Sequence, residues 1–592
     1  MTHNDEQVGV ACTITPARVR GVLLGICCSA SLLSCRPVVL VDPPTPTTAP
    51  AAPRLPSSDR PGSSPLPANM PSPAPPASSR PVTVAAVSET PPELAREFRG
   101  VWVASVSNID WPSRRDLTTA EQQRELLLLL DRAAALKLNA VIFQVRPAAD
   151  ALYASTIEPW SEYLTGAQGR APEPRWDPLA FAVREAHARN LELHAWFNPY
   201  RARHIDAKGP LARNHIARTN PPLVKKYAKY LWMDPGEPAV RARTLRVVLD
   251  VVKRYDIDGV HIDDYFYPYP ETSRRGREIP FPDDVSWRRF TRNGGTLARD
   301  DWRRQNVDLL VQALHDGIHD VKPWVKFGVS PFGIWRPGFP AQIRGLDAYA
   351  KLYADGRRWL NEGWVDYFTP QLYWPTTKVA QSYSALLQWW SDENSMARHL
   401  WPGNYTSRAG GSGSSAFSVG ELVEQIRVTR LQGGAGGNVH FSMKSFLQNQ
   451  ASMNDSLVAG PYADLALIPS SPWLGTPAPP LPSLRLTNQN GVAAVVLGSI
   501  GPIPPWQWLV QSRQASGWRS VLLPGDTRTF PVPGPGIEGI DRVTVRAFNR
   551  AGVESPPVSI SLSDTVSGRD AVDRASLQES SEPSIRGRRD GR

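Results

Sequence analysis

Between residues 98 and 443, short apolar runs bounded by turn residues alternate with longer stretches patterned at helical spacing, which predicts strands joined by crossover helices. Seven of the runs read as strands at 99–105, 140–146, 191–201, 325–331, 365–374, 399–405 and 437–443. An eighth, central strand lies within 255–270 and ends at Asp264. Helical patterns at 178–189, 239–255 and around 302–319 precede some of these strands. Thr118-Thr-Ala-Glu121 forms a capping box that opens another helix through the leucines at 126–130. Such alternation closes most simply into an α/β structure of the (β/α)8 TIM-barrel type, with its active site at the carboxyl ends of the strands. An open doubly wound sheet is the alternative, and no glycine-rich phosphate loop supports it.

Successive side chains on a strand point to opposite faces. In the central strand Val260 and Ile262 alternate with His261 and Asp263. Gln144 and Arg146 likewise alternate with Phe143 and Val145, and His194, Trp196 and Asn198 with Ala195 and Phe197. Thr369, Gln371 and Tyr373 form another polar set, and His440 with Ser442 a further one. A barrel interior normally prefers Val, Ile and Leu, so polar side chains from this many strands, converging on one mouth, point to a ligand.

The pattern changes after Pro461, where short strand-like runs at 483–487, 492–497, 506–513, 527–532 and 542–548 replace helices. A β-sandwich over 480–563 fits, and its last hairpin, 547–556, resembles that of a fibronectin type III domain. The polar tail 564–592 is expected to be disordered. So is the Pro-, Ala-, Ser- and Thr-rich segment 36–95, which predicts a semi-extended tether. Ahead of it, Arg18 and Arg20 precede an apolar run at 21–33, too short for a comfortable membrane span, and Leu32-Leu33-Ser34-Cys35 closes residues 1–35. This ending resembles a bacterial lipobox, which implies cleavage before Cys35, lipid on its thiol, and an exported cell-envelope protein anchored to a membrane.

All four cysteines precede residue 36, so the body has no disulfide and no thiolate nucleophile. The net charge of +10 is spread as Arg among acids, without a basic helix or lysine tract, so no nucleic-acid partner is expected. A monomer is expected.

Acid at the end of a buried strand, followed by Tyr265 and Tyr267, suits chemistry on a sugar. A carboxylate attacks or stabilises an anomeric centre, and flat rings stack on pyranoses. Trp196 and Trp374 offer further faces. Arg146, His194, Asn198, His261, Gln371, Tyr373 and His440 are candidate binders of hydroxyl, acetamido or carboxylate groups. Asp263 is the candidate nucleophile or charge stabiliser. The proton donor is to be found among Asp264, Asp150 and Glu162, with Asp264 and Asp150 first because both follow strand ends. No cofactor is needed. No metal is expected either, since His194, His261 and His440 lie on separate strands.

The quoted segments together resemble one family. Arg99-Gly-Val-Trp-Val, Gln144-Val-Arg-Pro147, Glu158-Pro-Trp-Ser-Glu-Tyr-Leu-Thr-Gly166, His194-Ala-Trp-Phe-Asn-Pro-Tyr-Arg201, Asp258-Gly-Val-His-Ile-Asp-Asp-Tyr-Phe-Tyr-Pro268 and Pro370-Gln-Leu-Tyr-Trp374 are similar to the glycosyl-hydrolase-like-ten proteins of bacterial envelopes. The resemblance implies a glycosidase barrel. It also implies, for lipoprotein members, action on peptidoglycan glycan strands, above all strands stripped of peptide. Gly259-Val-His-Ile-Asp263 is more distantly similar to the fourth-strand motif of amylase-type barrels, which implies the nucleophile role for Asp263. Phe327-Gly-Val-Ser-Pro-Phe-Gly333 departs from that pattern by offering no Glu. A non-catalytic glycan-binding protein and a glycosidase for another polysaccharide are the competing expectations.

Overall fold

The computed structural model describes residues 88–413, 415–489, 492–501, 504–532 and 539–562. The expected signal segment with Cys35, the tether up to residue 87 and the tail lie outside these described residues. Residues 88–95, expected as the end of the tether, instead lie along the C-terminal sheets, where Gln511 donates to the Pro92 carbonyl at 2.8 Å and Arg546 to Glu93 at 2.9 Å.

Eight strands form the ring of the first body: β1 (Phe98–Val103), β2 (Ala140–Arg146), β3 (Glu192–Phe197), β4 (Gly259–Ile262), β5 (Lys326–Val329), β6 (Tyr367–Phe368), β7 in two pieces (His399–Leu400 and Gly403–Asn404) and β8 (Gly437–His440). Each is parallel to its neighbours in that order. Phe98 pairs with Gly437, which closes the ring as the alternation predicts. β7 is split because Pro402 has no N–H for the ladder. The N–H groups on either side, from Trp401 and Gly403, still donate to the Phe368 and Pro370 carbonyls at 2.9 Å.

Outside the ring, helices cover the strands. The capping box forms as expected and opens Thr119–Ala135, whose Leu126, Leu129 and Leu130 join Val101, Val141 and Phe143 in the layer between helices and strands. Burying each such leucine contributes about 1.5–3 kcal/mol. Inside the ring a second cluster contains Phe98, Trp102, Ile142, Trp196, Tyr367 and Trp401. Rings this large fit because two inward positions carry no side chain. A Cβ at Gly328 would lie 2.0 Å from Cζ of Tyr367, and one at Gly259 2.5 Å from Nδ1 of His194.

The C-terminal body consists of two antiparallel sheets. One holds Pro482–Gln489, Val492–Ser499 and Thr529–Val532; the other holds Gly517–Pro524, Gln507–Gln514, Ile540–Phe548 and Val558–Ser561. Val495, Leu497, Trp508, Val510, Val543 and Val545 share the core between them. The sequence pattern missed Gly517–Pro524, whose residues are mostly half-buried on both faces, and the short strand Val558–Ser561.

This body sits against the amino-terminal end of the barrel strands. Arg550, in the turn after Ile540–Phe548, donates to Oδ1 of Asp258 at 2.6 Å, and its carbonyl accepts from Nζ of Lys326 at 3.2 Å. The Asp258 carboxylate also accepts from His187 at 2.9 Å and from the Leu193 N–H at 2.8 Å. Burial alone would raise its pKa, but His187 and Arg550 outweigh that and hold it below the usual carboxylate range. Arg550→Ala is expected to destabilise the chain by about 1–3 kcal/mol at neutral pH, read as a lowered unfolding midpoint. Asp258 has a depressed pKa, so its contribution is present above the ordinary carboxylate pKa and is lost in acid. The gap between variant and wild type therefore narrows as pH falls.

Candidate active site

Asp263 follows the last residue of β4 and, by alternation, points into the mouth of the barrel. It is 3 % exposed. Nε1 of Trp196 donates to its Oδ2 at 3.1 Å, and Nδ2 of Asn198 donates to both oxygens at 3.1 and 3.2 Å. Both donors stand on the inward face of β3 or its continuation, and this is why they alternate in sequence. Burial raises the pKa of Asp263, with Arg201 and these donors opposing it. The carboxylate is thus fixed in orientation by groups that can only donate.

Asp264 has a different environment. The phenol of Tyr269 donates to its Oδ2, and the Gln371 amide nearby, like that phenol, favours the ionised form. Burial first, and the charge of Asp263 second, push its pKa up to about 7. Gln371 is itself held by the Ser330 carbonyl at 3.0 Å. Beside it the ring of Tyr373 lies 4.7 Å from that of Tyr405, and Tyr265 meets Tyr269 edge-on at 5.6 Å. Two buried polar atoms in this region, the Tyr265 hydroxyl and Oγ1 of Thr369, have no hydrogen-bond partner among the described residues.

Arg201 completes the mouth. Its N–H donates to Oδ1 of Asn198 at 2.8 Å, its Nε donates to the Pro147 carbonyl at 3.0 Å, and its guanidinium lies 4.7 Å from the centre of the Tyr265 ring. The residue is 2 % exposed. Among the described residues neither Nη atom donates a hydrogen bond, and no carboxylate lies within ion-pair distance. A buried cation with two unused donors can accept a bidentate anion.

The structure therefore brings together Asp263, Asp264, Trp196, Asn198, Tyr265, Gln371 and Tyr373 of the residues singled out in the sequence. Others lie elsewhere. Asp150 is fully buried, receives the Ala148 N–H at 3.0 Å and Gln168 at 3.4 Å, and lines a separate small pocket with Glu162, Tyr163 and Gly209. Burial pushes its pKa up to about 6. Arg146 was expected to bind substrate, but its guanidinium forms a bidentate pair with Glu158 at 2.7 Å and donates to the Asn198 carbonyl. It positions the β3 turn instead.

His194 and His261 are also corrected, because both are sealed in the lumen below the mouth. His194 bonds Glu192 and Tyr367, and His261 bonds Tyr367 and Ser330. His440 faces outward rather than inward. The inward residue of β8 is Val439, while His440 bonds Thr406 at 2.9 Å and Tyr462 at 2.7 Å. Tyr267 offers no stacking face, being buried between Phe281 and Tyr353. Trp374 packs edge-on against Phe332 in the layer under the helices.

Sequence reasoning missed Arg201, Tyr269, Tyr405 and Ser330. Ser330 was within reach, since it continues the inward parity of Lys326 and Gly328. Arg201 was not, because Pro199 ends the strand and breaks the two-residue period before it.

A match to the family described as Glycosyl hydrolase-like 10 spans residues 97–410. The chain is 43 % identical over 404 residues to glycosyl hydrolase YngK of Bacillus subtilis (strain 168), covering 67 % of this chain and 78 % of that one. It is 36 % identical over 338 residues to glycosyl hydrolase DigH of Escherichia coli (strain K12), covering 54 % and 73 %. Among solved structures, the catalytic domain of beta-amylase from Paenibacillus polymyxa aligns with 62 % of this chain and all of its own, at a TM-score of 0.42 and 13 % identity. The extent of the family match and the share of YngK that is covered show that this chain belongs to the glycosyl hydrolase-like 10 family and is a glycoside hydrolase.

Proposed function

We propose that the chain is a lipid-anchored, monomeric glycosidase of the bacterial cell envelope that cuts peptidoglycan glycan strands, with preference for strands freed of peptide. The observation that carries the mechanism is the contrast between two neighbouring carboxyls. Asp263 accepts from Trp196 and Asn198, which oppose the upward push of burial and favour its ionised form, while burial and its neighbour's charge push the pKa of Asp264 up to about 7. In this reading Asp263 attacks or stabilises the oxocarbenium-like centre, and Asp264 protonates the leaving oxygen. Asp150 is set aside as the donor because it lines the separate pocket with Glu162 and Tyr163, whereas Asp264 lies beside Asp263 and feels its charge. Tyr265, Tyr373 and Tyr405 supply faces for sugar rings.

The choice of substrate is supported by Arg201. A muramic residue without its peptide carries a free lactyl carboxylate, and the two unused Nη donors of Arg201 fit it. The membrane anchor rests on Cys35 and its lipobox-like context. The C-terminal sheets are consistent with a fibronectin type III-like sandwich.

Purified chain incubated with peptide-free glycan strands is expected to release shorter products. Asp263→Asn and Asp264→Asn should each lower kcat by about 10²–10⁴-fold. A wild-type chain that pulls down strands without cutting them would support a glycan-binding protein instead. Arg201→Gln is expected to raise KM about 10–100-fold on these strands, the worth of one charge-assisted bidentate contact, and to matter far less on a neutral polysaccharide.

The pH profile follows from Asp264. An acid with a raised pKa is active below it, so kcat/KM should fall above about pH 7. Tyr269 donates to the ionised carboxylate and so lowers that pKa. Tyr269→Phe should move the alkaline limb to higher pH while leaving the acid limb in place.

A further inference from the structure

We propose that His315, His319 and Asp366 form a binding site for a divalent transition-metal ion, zinc by preference, at the amino-terminal end of the barrel, on the opposite side from Asp263. The two histidines are four residues apart on the helix Arg299–Val321, so their rings project from one face on successive turns, with centroids 4.5 Å apart. Asp366, immediately before β6, reaches the same spot. One ligand atom from each of the three lies within 4.8 Å of the others. Donors around a tetrahedral zinc sit about 3.3 Å apart when the bonds are about 2.0–2.1 Å. The set therefore has to draw in by no more than about 1.5 Å, which the two partly exposed imidazoles supply. Two imidazoles and a carboxylate suit zinc, with water in the fourth position.

The ligands are also supported from behind. The carboxylate of Asp366 is fully buried and fixed by the Phe327 N–H at 2.7 Å and by Nε1 of Trp473 at 2.8 Å. Nδ1 of His315 lies 2.9 Å from Oδ1 of Asp316, an arrangement that orients a histidine whose Nε2 binds metal. Among the described residues that Nε2 has no hydrogen-bond partner. Nε2 of His319 already meets Oδ2 of Asp366 at 2.9 Å, so an ion enters between them and the shared proton leaves to solvent. The two imidazoles are 21 % and 20 % exposed, which leaves an entry path. A bound ion ties the end of this helix to the start of β6 and, through Trp473, to the segment leading into the C-terminal sheets.

The test uses the full chain, untagged and stripped by chelator, titrated with zinc chloride against a competing chromophoric chelator and with cobalt chloride under absorption spectroscopy. One equivalent of zinc is expected, with the intense visible bands of four-coordinate cobalt. His315→Ala and His319→Ala should each weaken zinc binding by at least about tenfold. His315→Ala is decisive, since its one hydrogen bond is to an exposed neighbour and its metal-free unfolding midpoint should match the wild type. Equal zinc affinity in that variant, or cobalt bands of six-coordinate type in the wild type, overturns the proposal.

Discussion

A column of hydrogen bonds runs up the inside of the barrel, and the mouth is built on it. Nζ of Lys326 meets Glu192 at 2.6 Å, Glu192 meets His194 at 2.9 Å, His194 meets the Tyr367 hydroxyl at 2.8 Å, and that hydroxyl meets His261 at 3.1 Å. The column has a direction. The Trp102 indole can only donate, and it points at Nε2 of His261 from 3.1 Å. Nε2 is therefore an acceptor, the ring proton is on Nδ1, and the Tyr367 hydroxyl is left to donate to His194. Burial and the neighbouring His194 depress the pKa of His261, in keeping with a neutral ring. Leaving any one of these groups unpaired in so dry a space would cost on the order of 1–3 kcal/mol, so the set stands or falls as a unit.

The geometry of the mouth depends on that rigidity. Asp263 sits one inward position above His261 on β4, and its donors Trp196 and Asn198 stand one and two positions above His194 on β3 and its continuation. Fixing the lower layer fixes the spacing of the upper one. Arg146 acts on the same turn from the other side, through its pair with Glu158 and its bond to the Asn198 carbonyl. Several residues that the sequence marks as sugar-binding thus act indirectly, by keeping the carboxylate of Asp263 where its donors are.

How much of this was legible follows from the period of a strand. Alternation placed Trp196, Asn198 and Asp263 correctly, because each lies within or just beyond an unbroken strand with one inward face. The same rule failed at His440. There the polar residue faces outward, where Thr406 and Tyr462 satisfy both ring nitrogens, and apolar Val439 faces the lumen. A polar face marks the lumen only when nothing polar waits on the other side. Arg201 and Tyr269 lie past strand ends, where Pro199 and the turns after Asp264 reset the direction of each side chain. Local period says nothing about them, although they set the charge and the proton affinity of the site. Depth was equally hidden. His194 and His261 share the right face with Asp263 but lie too far down to meet a sugar.

The lower end of the column explains why a second body packs against the barrel. Lys326 is fully buried at the floor of the lumen, where a lysine needs more than one partner to offset lost hydration. Glu192 neutralises it, and the Arg550 carbonyl from the C-terminal sheets accepts a further proton of the ammonium group at 3.2 Å. The Arg550 side chain meanwhile pairs with Asp258, which heads β4 and leads four residues later to His261's neighbour Ile262 and then to Asp263. One turn of the C-terminal body thus closes the floor of the column and anchors the strand that carries the proposed nucleophile. On this view the C-terminal sheets are part of the barrel's own structure, because they hold that floor shut.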